Sequence, residues 1–132
     1  MKKIFLSLLL LSVALFAELT DKYPTKEFMQ THTPIVDIRT TGEWRETGIL
    51  QGAIPIMFFN ERGGYDIQGF LQELNTKVDT TKPFAIICHT GSRTSMLAPF
   101  LSKELKYNVI NLKGGMEYAT KVSHLKTVTY MK

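Results

Sequence analysis

The sequence has 132 residues and a formal net charge of +4, which suits one domain and excludes a multidomain architecture. It holds no run of Lys and Arg, so nothing in it indicates a nucleic-acid-binding surface. The only cysteine is Cys88, which excludes an internal disulfide. An unpaired thiol in an oxidising compartment is a liability unless it is buried or chemically used.

The first residues have the composition of a secretory signal peptide. Two lysines precede the mostly apolar run Ile4–Phe16, and Ala17 offers a small residue for cleavage. That run has 13 residues, whereas a bilayer span needs roughly 20, so a cleaved signal is favoured over a membrane anchor. We predict a signal peptide over 1–17, one domain over 18–132, a periplasmic or secreted location, and no stable membrane anchor after cleavage.

Apolar runs alternate with helix-type spacings along the rest of the chain. In chain order, the expected elements are a short helix at Lys26–Thr31, a strand at Ile35–Ile38, a helical turn at Glu43–Glu46, a strand at Ala53–Ile56, a helix around Gly69–Leu74, a strand at Phe84–Ile87, a helix at Arg93–Lys106, a strand at Asn108–Leu112 and a helix at Met116–Val122. Residues 125–130 alternate and predict an edge strand, and Pro99 is expected to kink or shorten its helix. Strands that alternate with helices predict an α/β domain with a central, mainly parallel β-sheet.

Ligands of such sheets bind beyond the carboxyl ends of the strands. Three segments follow predicted strands and should open at that edge, namely Arg39–Thr41, Met57–Gly64 and Cys88–Arg93. Lys113–Gly115 is a fourth candidate. The sequence therefore predicts that residues far apart in the chain meet around Cys88.

Cys88 lies between a buried strand and a helix, on a short loop that contains a glycine. Such a loop can point successive backbone N–H groups inward, and the helix adds its positive N-terminal end. Both effects favour the thiolate, which is the reactive nucleophile. Gly91 supplies a backbone conformation that other residues resist, and Arg93 places a fixed positive charge near the loop.

Competing interpretations exist for these residues. From Cys88 alone, a small buried hydrophobic residue is as good a reading as a nucleophile, and the polar loop decides for the nucleophile. His89 is disfavoured as a general base, because side chains of adjacent residues such as Cys88 and His89 usually diverge. His32 and His124 are expected at the surface. No His, Cys, Asp and Glu have the spacing of zinc ligands, so we predict no metal and no cofactor.

Three segments resemble the signatures of the rhodanese-like domain family. Cys88–Thr94 is similar to its Cys-x-x-Gly-x-Arg-Ser/Thr active-site loop. Val36–Arg39, with Glu43-Trp44 and Gly52-Ala53 after it, resembles its N-terminal signature, although the spacing is one residue longer. Asn111–Met116 resembles its Leu-x-Gly-Gly turn. The resemblance covers roughly residues 20–120 and implies a rhodanese-like α/β fold with helices on both faces of the sheet.

The resemblance also implies a sulfurtransferase. Cys88 would take sulfane sulfur from a small anion such as thiosulfate or polysulfide and hold it as a persulfide. A thiophilic acceptor, such as cyanide, a thiol or a partner protein, would then remove it. The resemblance implies that the loop residues bind the transferred sulfur, and these are His89, Thr90, Gly91, Ser92 and Arg93. Arg62 is a further candidate for binding the anionic donor, and Asp37 and Arg39 are expected to be structural.

Three other functions remain open at this point. A sulfur carrier with slow turnover would share every sequence feature with the enzyme. A non-catalytic interaction module is disfavoured because Cys88 and Arg93 are intact. Cysteine phosphatases and arsenate reductases use a His-Cys-x5-Arg loop on related folds, whereas here Ile87 precedes Cys88 and only four residues separate Cys88 from Arg93.

Overall fold

A computed structural model describes residues 17–131. The predicted signal peptide, except for Ala17, lies outside the described residues. The strands are β1 (Leu19–Lys22), β2 (Ile35–Asp37), β3 (Ile49–Leu50), β4 (Ile54–Pro55), β5 (Phe84–Ile87), β6 (Val109–Leu112) and β7 (Thr127–Val128). The helices are α1 (Lys26–Gln30), α2 (Thr41–Thr47), α3 (Ile67–Lys77), α4 (Ser92–Lys103) and α5 (Gly115–Lys121).

Five strands form a parallel sheet in the order β1-β6-β5-β2-β4. The central strand β5 pairs with β2 and β6 and is buried along its whole length. Burial on both faces explains why it consists only of apolar residues, as is usual for parallel sheets. The prediction of an α/β domain with a mainly parallel sheet is confirmed.

Two hydrophobic layers cover the two faces of this sheet. Because successive side chains of a strand point to opposite faces, Phe84, Ile86 and Cys88 enter one layer, whereas Ala85 and Ile87 enter the other. Helices α3 and α4 supply the first layer, and α1 and α5 supply the second. Helices therefore flank the sheet on both faces, and Cys88 lies on the α3 and α4 side.

Two strands depend on long-range pairing and differ from what the sequence predicts. The edge strand β1 is mostly exposed and polar, and its pairing of Leu19–Lys22 with Val109–Leu112 is a long-range contact that no local pattern reveals. The predicted tail strand exists only as β7, and it pairs antiparallel with β3 rather than with the main sheet. Tertiary contacts decide both elements, because neither carries a buried apolar run of its own.

Pro99 lies inside α4, and the helix continues through it to Lys103. The helix ends three residues before the predicted end at Lys106. The left-handed backbone of Lys106, with φ of 61°, accounts for this end, and Tyr107 N then donates to Leu101 O. Within residues 17–131, no helix is both long enough and apolar enough to cross a bilayer.

Candidate active site

Cys88 follows the carboxyl end of β5, and α4 begins four residues later at Ser92. The amide of Gly91 donates a hydrogen bond to Cys88 Sγ at 3.2 Å. Thr94 Oγ1 lies 3.7 Å from the same sulfur. Cys88 has no exposed surface. The sulfur is therefore enclosed at the N-terminal end of a twelve-residue helix, where negative charge is stabilised.

Gly91 is the residue that lets the amide turn toward the sulfur. Its φ is 100°, a conformation that residues with a Cβ rarely adopt, and it precedes the first residue of α4. A Cβ at this position would also lie 3.1 Å from Gly114 N. The hydroxyl of Thr94 donates to Gly91 O at 3.2 Å, so Thr94 holds the loop as well as facing the sulfur.

Arg93 forms a bidentate ion pair with Glu43 of α2. Nη1 donates to Oε1 at 2.6 Å and Nη2 donates to Oε2 at 2.8 Å. Arg93 lowers the pKa of Glu43 to about 2, chiefly through these hydrogen bonds. The pKa of Arg93 is raised, first by its bonds to Glu43, with smaller contributions that include the nearby Cys88. The predicted cation near the loop is present, and a carboxylate holds it in place.

Glu43 also caps α2. Its carboxylate accepts from Thr40 N at 3.3 Å, and Thr40 Oγ1 accepts from Glu43 N at 3.3 Å. This reciprocal pair is a capping box, which satisfies backbone donors at the start of a helix. In the sequence, Glu43 lies on a predicted helical turn within the segment that resembles the N-terminal family signature, and no partner is predicted for it. The Thr-x-x-Glu pattern could have located the helix start, but nothing local identifies Arg93 as the second partner.

The Gly114-Gly115 turn packs directly on the cysteine loop. Met116 N donates to Cys88 O at 2.8 Å, and Glu117 N donates to His89 O at 3.0 Å. A Cβ on Gly115 would approach Cys88 O to 2.4 Å, so this position has room only for glycine. The expectation that Lys113–Gly115 joins the site is met by these contacts, which anchor the cysteine loop through its backbone carbonyls.

Asp37 and Arg39 are fully buried and form an ion pair of 2.8 Å. Arg39 also donates to Gly48 O and to Thr47 Oγ1, both at 2.7 Å, which ties β2 to the end of α2. These contacts agree with the structural role predicted for the pair. They hold the helix whose first turn carries Glu43.

The other predicted site residues are at the surface. His89, Thr90 and Ser92 are exposed on the cysteine loop. Arg62 is exposed on the turn after β4, and within residues 17–131 its side chain has no hydrogen-bonding or ionic partner. Its neighbour Glu61 accepts from Gly42 N at 3.2 Å, so this turn lies against the start of α2.

The two remaining histidines, His32 and His124, are exposed as predicted, and both have a left-handed backbone conformation. Across the described part of the chain, no three His, Cys, Asp or Glu side chains are grouped so as to hold a metal ion.

A sequence model of the Rhodanese-like domain family matches residues 16–121. An uncharacterized Rickettsia prowazekii protein is 30% identical over 86 residues, which cover 63% of this chain and 68% of that protein. The Arabidopsis thaliana protein HIGH ARSENIC CONTENT 1, mitochondrial, is 27% identical over 99 residues, which cover 74% of this chain and 59% of that protein. This second match therefore spans less than two thirds of its relative.

Solved structures have the same fold. A rhodanese-related protein from Thermoplasma volcanium superposes with a TM-score of 0.60 at 19% identity, over 84% of this chain and 99% of that one. A rhodanese-like domain protein from Staphylococcus aureus gives 0.56 at 20% identity, over 77% and 90%. The family match covers most of the chain and agrees with the sheet, the cysteine loop and the Gly-Gly turn. The chain therefore belongs to the rhodanese-like domain family.

Proposed function

We propose that the protein is a sulfurtransferase that carries sulfane sulfur as a persulfide on Cys88. The observation that supports this most is the position of Cys88 Sγ at the start of α4, with Gly91 N–H 3.2 Å away. That arrangement stabilises negative charge on sulfur both before and after transfer. The bracing of the loop by Glu43 and by the Gly-Gly turn keeps these donors in place without reorganisation.

In the first half-reaction, the Cys88 thiolate attacks the outer sulfur of thiosulfate. A bond forms between Sγ and that sulfur, the S–S bond of the donor breaks, and its electron pair leaves on sulfite. The negative charge moves from Sγ to the added sulfur. Amides of the loop from His89 to Arg93 then stabilise the terminal sulfur as an oxyanion hole stabilises oxygen. Polysulfide would donate by the same attack on a sulfane sulfur.

In the second half-reaction, an acceptor attacks the terminal sulfur and Cys88 leaves as a thiolate. Cyanide, a small thiol or a partner protein would serve as acceptor. Cys88 is the only cysteine of the sequence, so no second thiol of the same chain can intercept the persulfide. The cycle needs no metal or cofactor, because sulfur itself carries the electron pairs.

A slowly exchanging sulfur carrier is the second candidate. Cys88 is completely enclosed, so donor and acceptor reach the sulfur only when loop side chains move outward. Enclosure would protect a persulfide from solvent and would slow its release. Steady-state turnover with thiosulfate and cyanide separates the two functions: fast turnover supports the enzyme, and one slow exchange per chain supports the carrier.

Arg62 is proposed to attract the anionic donor. Its unpartnered guanidinium lies on the turn that packs on α2 through Glu61 and Gly42. We expect Arg62→Ala to raise the KM for thiosulfate a few-fold with little change in kcat, because a surface charge mainly affects encounter. An unchanged KM would remove Arg62 from the site. Lys82→Ala, which removes an exposed cation elsewhere, is the matched control.

We further propose that the protein is exported, with residues 1–17 removed as a signal peptide. The basic start, the apolar run and Ala17 support this. N-terminal sequencing of the protein made in a bacterium with an outer membrane, after osmotic release of the periplasm, tests it. A full-length chain in the cytoplasm would contradict it.

The deciding experiment for sulfur transfer is the intact mass of the protein after exposure to thiosulfate or polysulfide, beside Cys88→Ser. We expect one added sulfur that cyanide or a reductant removes and that the variant lacks. A thiol that alkylates readily and yet gains no sulfur would point to a phosphatase-like or non-catalytic role. A thiol that neither alkylates nor gains sulfur would show that Cys88 is only a buried core residue.

A further inference from the structure

Helix α2, which carries Glu43, has one buried side chain. Of its seven residues only Trp44 is buried, with 4% of its surface exposed. A short helix owes most of its stability to the packing of its apolar side rather than to its own backbone. The indole Nε1 of Trp44 is buried and has no hydrogen-bond acceptor among residues 17–131. Packing, and not a hydrogen bond of the indole, therefore fixes this ring.

Part of that packing comes from the segment 125–130, which follows α5 and which we call the strap. The ring centroid of Tyr130 lies 5.2 Å from that of Trp44. Upstream of Tyr130, β7 pairs with β3, so that Val128 lies opposite Ile49. A Cβ on Gly48 would lie 2.5 Å from Val128 O, which shows how closely the strap approaches the residue that ends α2. The strap therefore contacts α2 at its buried ring and at its C-terminal end.

The strap connects the two helices that brace the cysteine loop. It follows α5, whose first residues donate hydrogen bonds to the carbonyls of that loop. Leu125 N donates to Ala119 O at 2.9 Å, and the Leu125 side chain packs on the second hydrophobic layer. The far end of the strap packs on Trp44, which directly follows Glu43 in α2. Glu43 in turn holds Arg93 through hydrogen bonds of 2.6 and 2.8 Å.

The middle of the strap has few buried contacts. Its residues 126–129 are exposed, and β7 consists of only two residues. Val128 is 41% exposed although it is apolar. Segments with few buried apolar contacts open locally at a low free energy, while the rest of the domain stays folded. The strap can therefore detach from α2 without unfolding of the sheet.

We propose that docking of the strap on Trp44 positions Glu43, and through it Arg93, for the reaction at Cys88. This inference rests on the proposed sulfur-transfer function. Without the Tyr130 ring, the first turn of α2 moves more freely, and the bidentate pair weakens because it fits in only one orientation. The cysteine loop then keeps its donors but loses their alignment. Tyr130 is a positioning residue, since it acts through Trp44 and Glu43.

Three variants test this proposal. Tyr130→Ala removes the ring that packs on Trp44, and Tyr130→Phe keeps that ring without its hydroxyl. Tyr107→Ala is the matched control, because Tyr107 is also half-buried and its ring meets one buried ring, that of Phe84, with centroids 6.0 Å apart. Phe84 is the first residue of β5, at the end of that strand away from Cys88.

The fluorescence of Trp44 reports on the strap directly, because the sequence contains no other tryptophan. We expect Tyr130→Ala to shift the emission to longer wavelength and to increase its quenching by acrylamide. Tyr130→Phe and Tyr107→Ala should leave both properties as they are in the wild type. An unchanged emission in Tyr130→Ala would show that the strap does not fix the surroundings of Trp44 and would overturn the proposal.

A double-mutant cycle tests whether the strap acts through Glu43. The single-turnover rate of persulfide formation from thiosulfate is measured for the wild type, Tyr130→Ala, Glu43→Gln and the double variant. We expect Tyr130→Ala to slow the reaction about fivefold and the double variant to be no slower than Glu43→Gln alone. Tyr130→Phe should restore the rate. Effects that multiply in the double variant, or an equal loss in Tyr107→Ala, would overturn the proposal.

A measurement that does not depend on sulfur transfer is the NMR hydrogen exchange of the Arg93 Nη protons, which is slow while Glu43 holds them. We expect faster exchange in Tyr130→Ala than in the wild type, and no change in Tyr130→Phe or Tyr107→Ala. If the wild type takes no sulfur from thiosulfate, the proposed function fails and this exchange decides whether the strap positions Arg93. Unchanged exchange in Tyr130→Ala would overturn the positioning role and leave sulfur transfer standing.

Discussion

Glu43 and Arg93 are separated by 50 positions in the sequence and are joined by hydrogen bonds of 2.6 and 2.8 Å. The same carboxylate caps the first turn of α2. Glu43 therefore couples the position of the cysteine loop to the position of α2. A pair with this geometry restricts the loop, since the planar guanidinium and the carboxylate fit in only one orientation.

Replacing Glu43 with Gln should slow sulfur transfer from thiosulfate about tenfold, because the neutral amide holds Arg93 less firmly and the loop donors lose their alignment. The measurement is the single-turnover rate of persulfide formation. Glu46→Gln is the control, since Glu46 is exposed on the same helix. Equal rates for both variants would mean that the pair does not position the loop.

The Glu43–Arg93 pair should also make the stability of the protein depend on acid. The pKa of Glu43 is about 2 in the folded protein against an ordinary value of 4.5. A lowered pKa gives stability that is fully present above pH 4.5 and is lost as the pH falls through about 2. The side chains of Arg93 and Glu43 are 23% and 29% exposed, so solvent screening limits this contribution to about 1 kcal/mol.

Urea unfolding of the wild type and Glu43→Gln, from neutral pH down to about pH 2.5, measures this contribution. The variant should be less stable at neutral pH, and the difference should shrink as the pH falls. A difference that stays constant over that range would show that the carboxylate charge is not its source.

Thr94→Val should lower the rate of Cys88 alkylation and of persulfide formation about tenfold. Val keeps the shape of Thr94 but removes the hydroxyl 3.7 Å from Cys88 Sγ, which can turn to donate to a thiolate. The measurement is the rate of iodoacetamide alkylation at one fixed pH, and Thr94→Ser should restore that rate. Thr120→Val is the control, because Thr120 Oγ1 only donates to Met116 O within α5. An unchanged rate would assign Thr94 to loop packing alone.

Gly115→Ala should destabilise the protein by about 3 kcal/mol and displace the cysteine loop. The added methyl group would approach Cys88 O and His89 O to 2.4 and 2.5 Å, where backbone atoms cannot yield cheaply. Gly52→Ala is the matched control. Gly52 also has a positive φ of 79°, but a Cβ there meets nothing within 4 Å, so its cost should be about 1 kcal/mol from backbone strain. Thermal unfolding compares the two, and similar losses would contradict the packing argument.

Several features could be predicted from local sequence alone. The apolar run Phe84–Ile87 predicted a buried strand, and burial on both faces of a parallel sheet is the reason the run is unbroken. Gly91 between that strand and a helix predicted a tight turn that exposes backbone donors, and the structure shows one of these bonded to Cys88 Sγ. The start of α1 is local in the same way, because Thr25 Oγ1 accepts from Phe28 N and a helix cap is a contact between close neighbours.

The tertiary structure alone decided which distant residues meet. The sequence around Glu43 does not indicate that Arg93 is its partner. The sequence around Gly115 does not indicate that the backbone carbonyl of Cys88 packs against it. The same holds for β1, whose mostly polar residues form a strand only because β6 offers an open edge. Periodicity and capping report contacts within a few residues, whereas these contacts depend on the order of strands in the sheet. The cysteine loop that is proposed to carry the chemistry could therefore be located from the sequence, whereas the partners that hold it in position could be identified only from the fold.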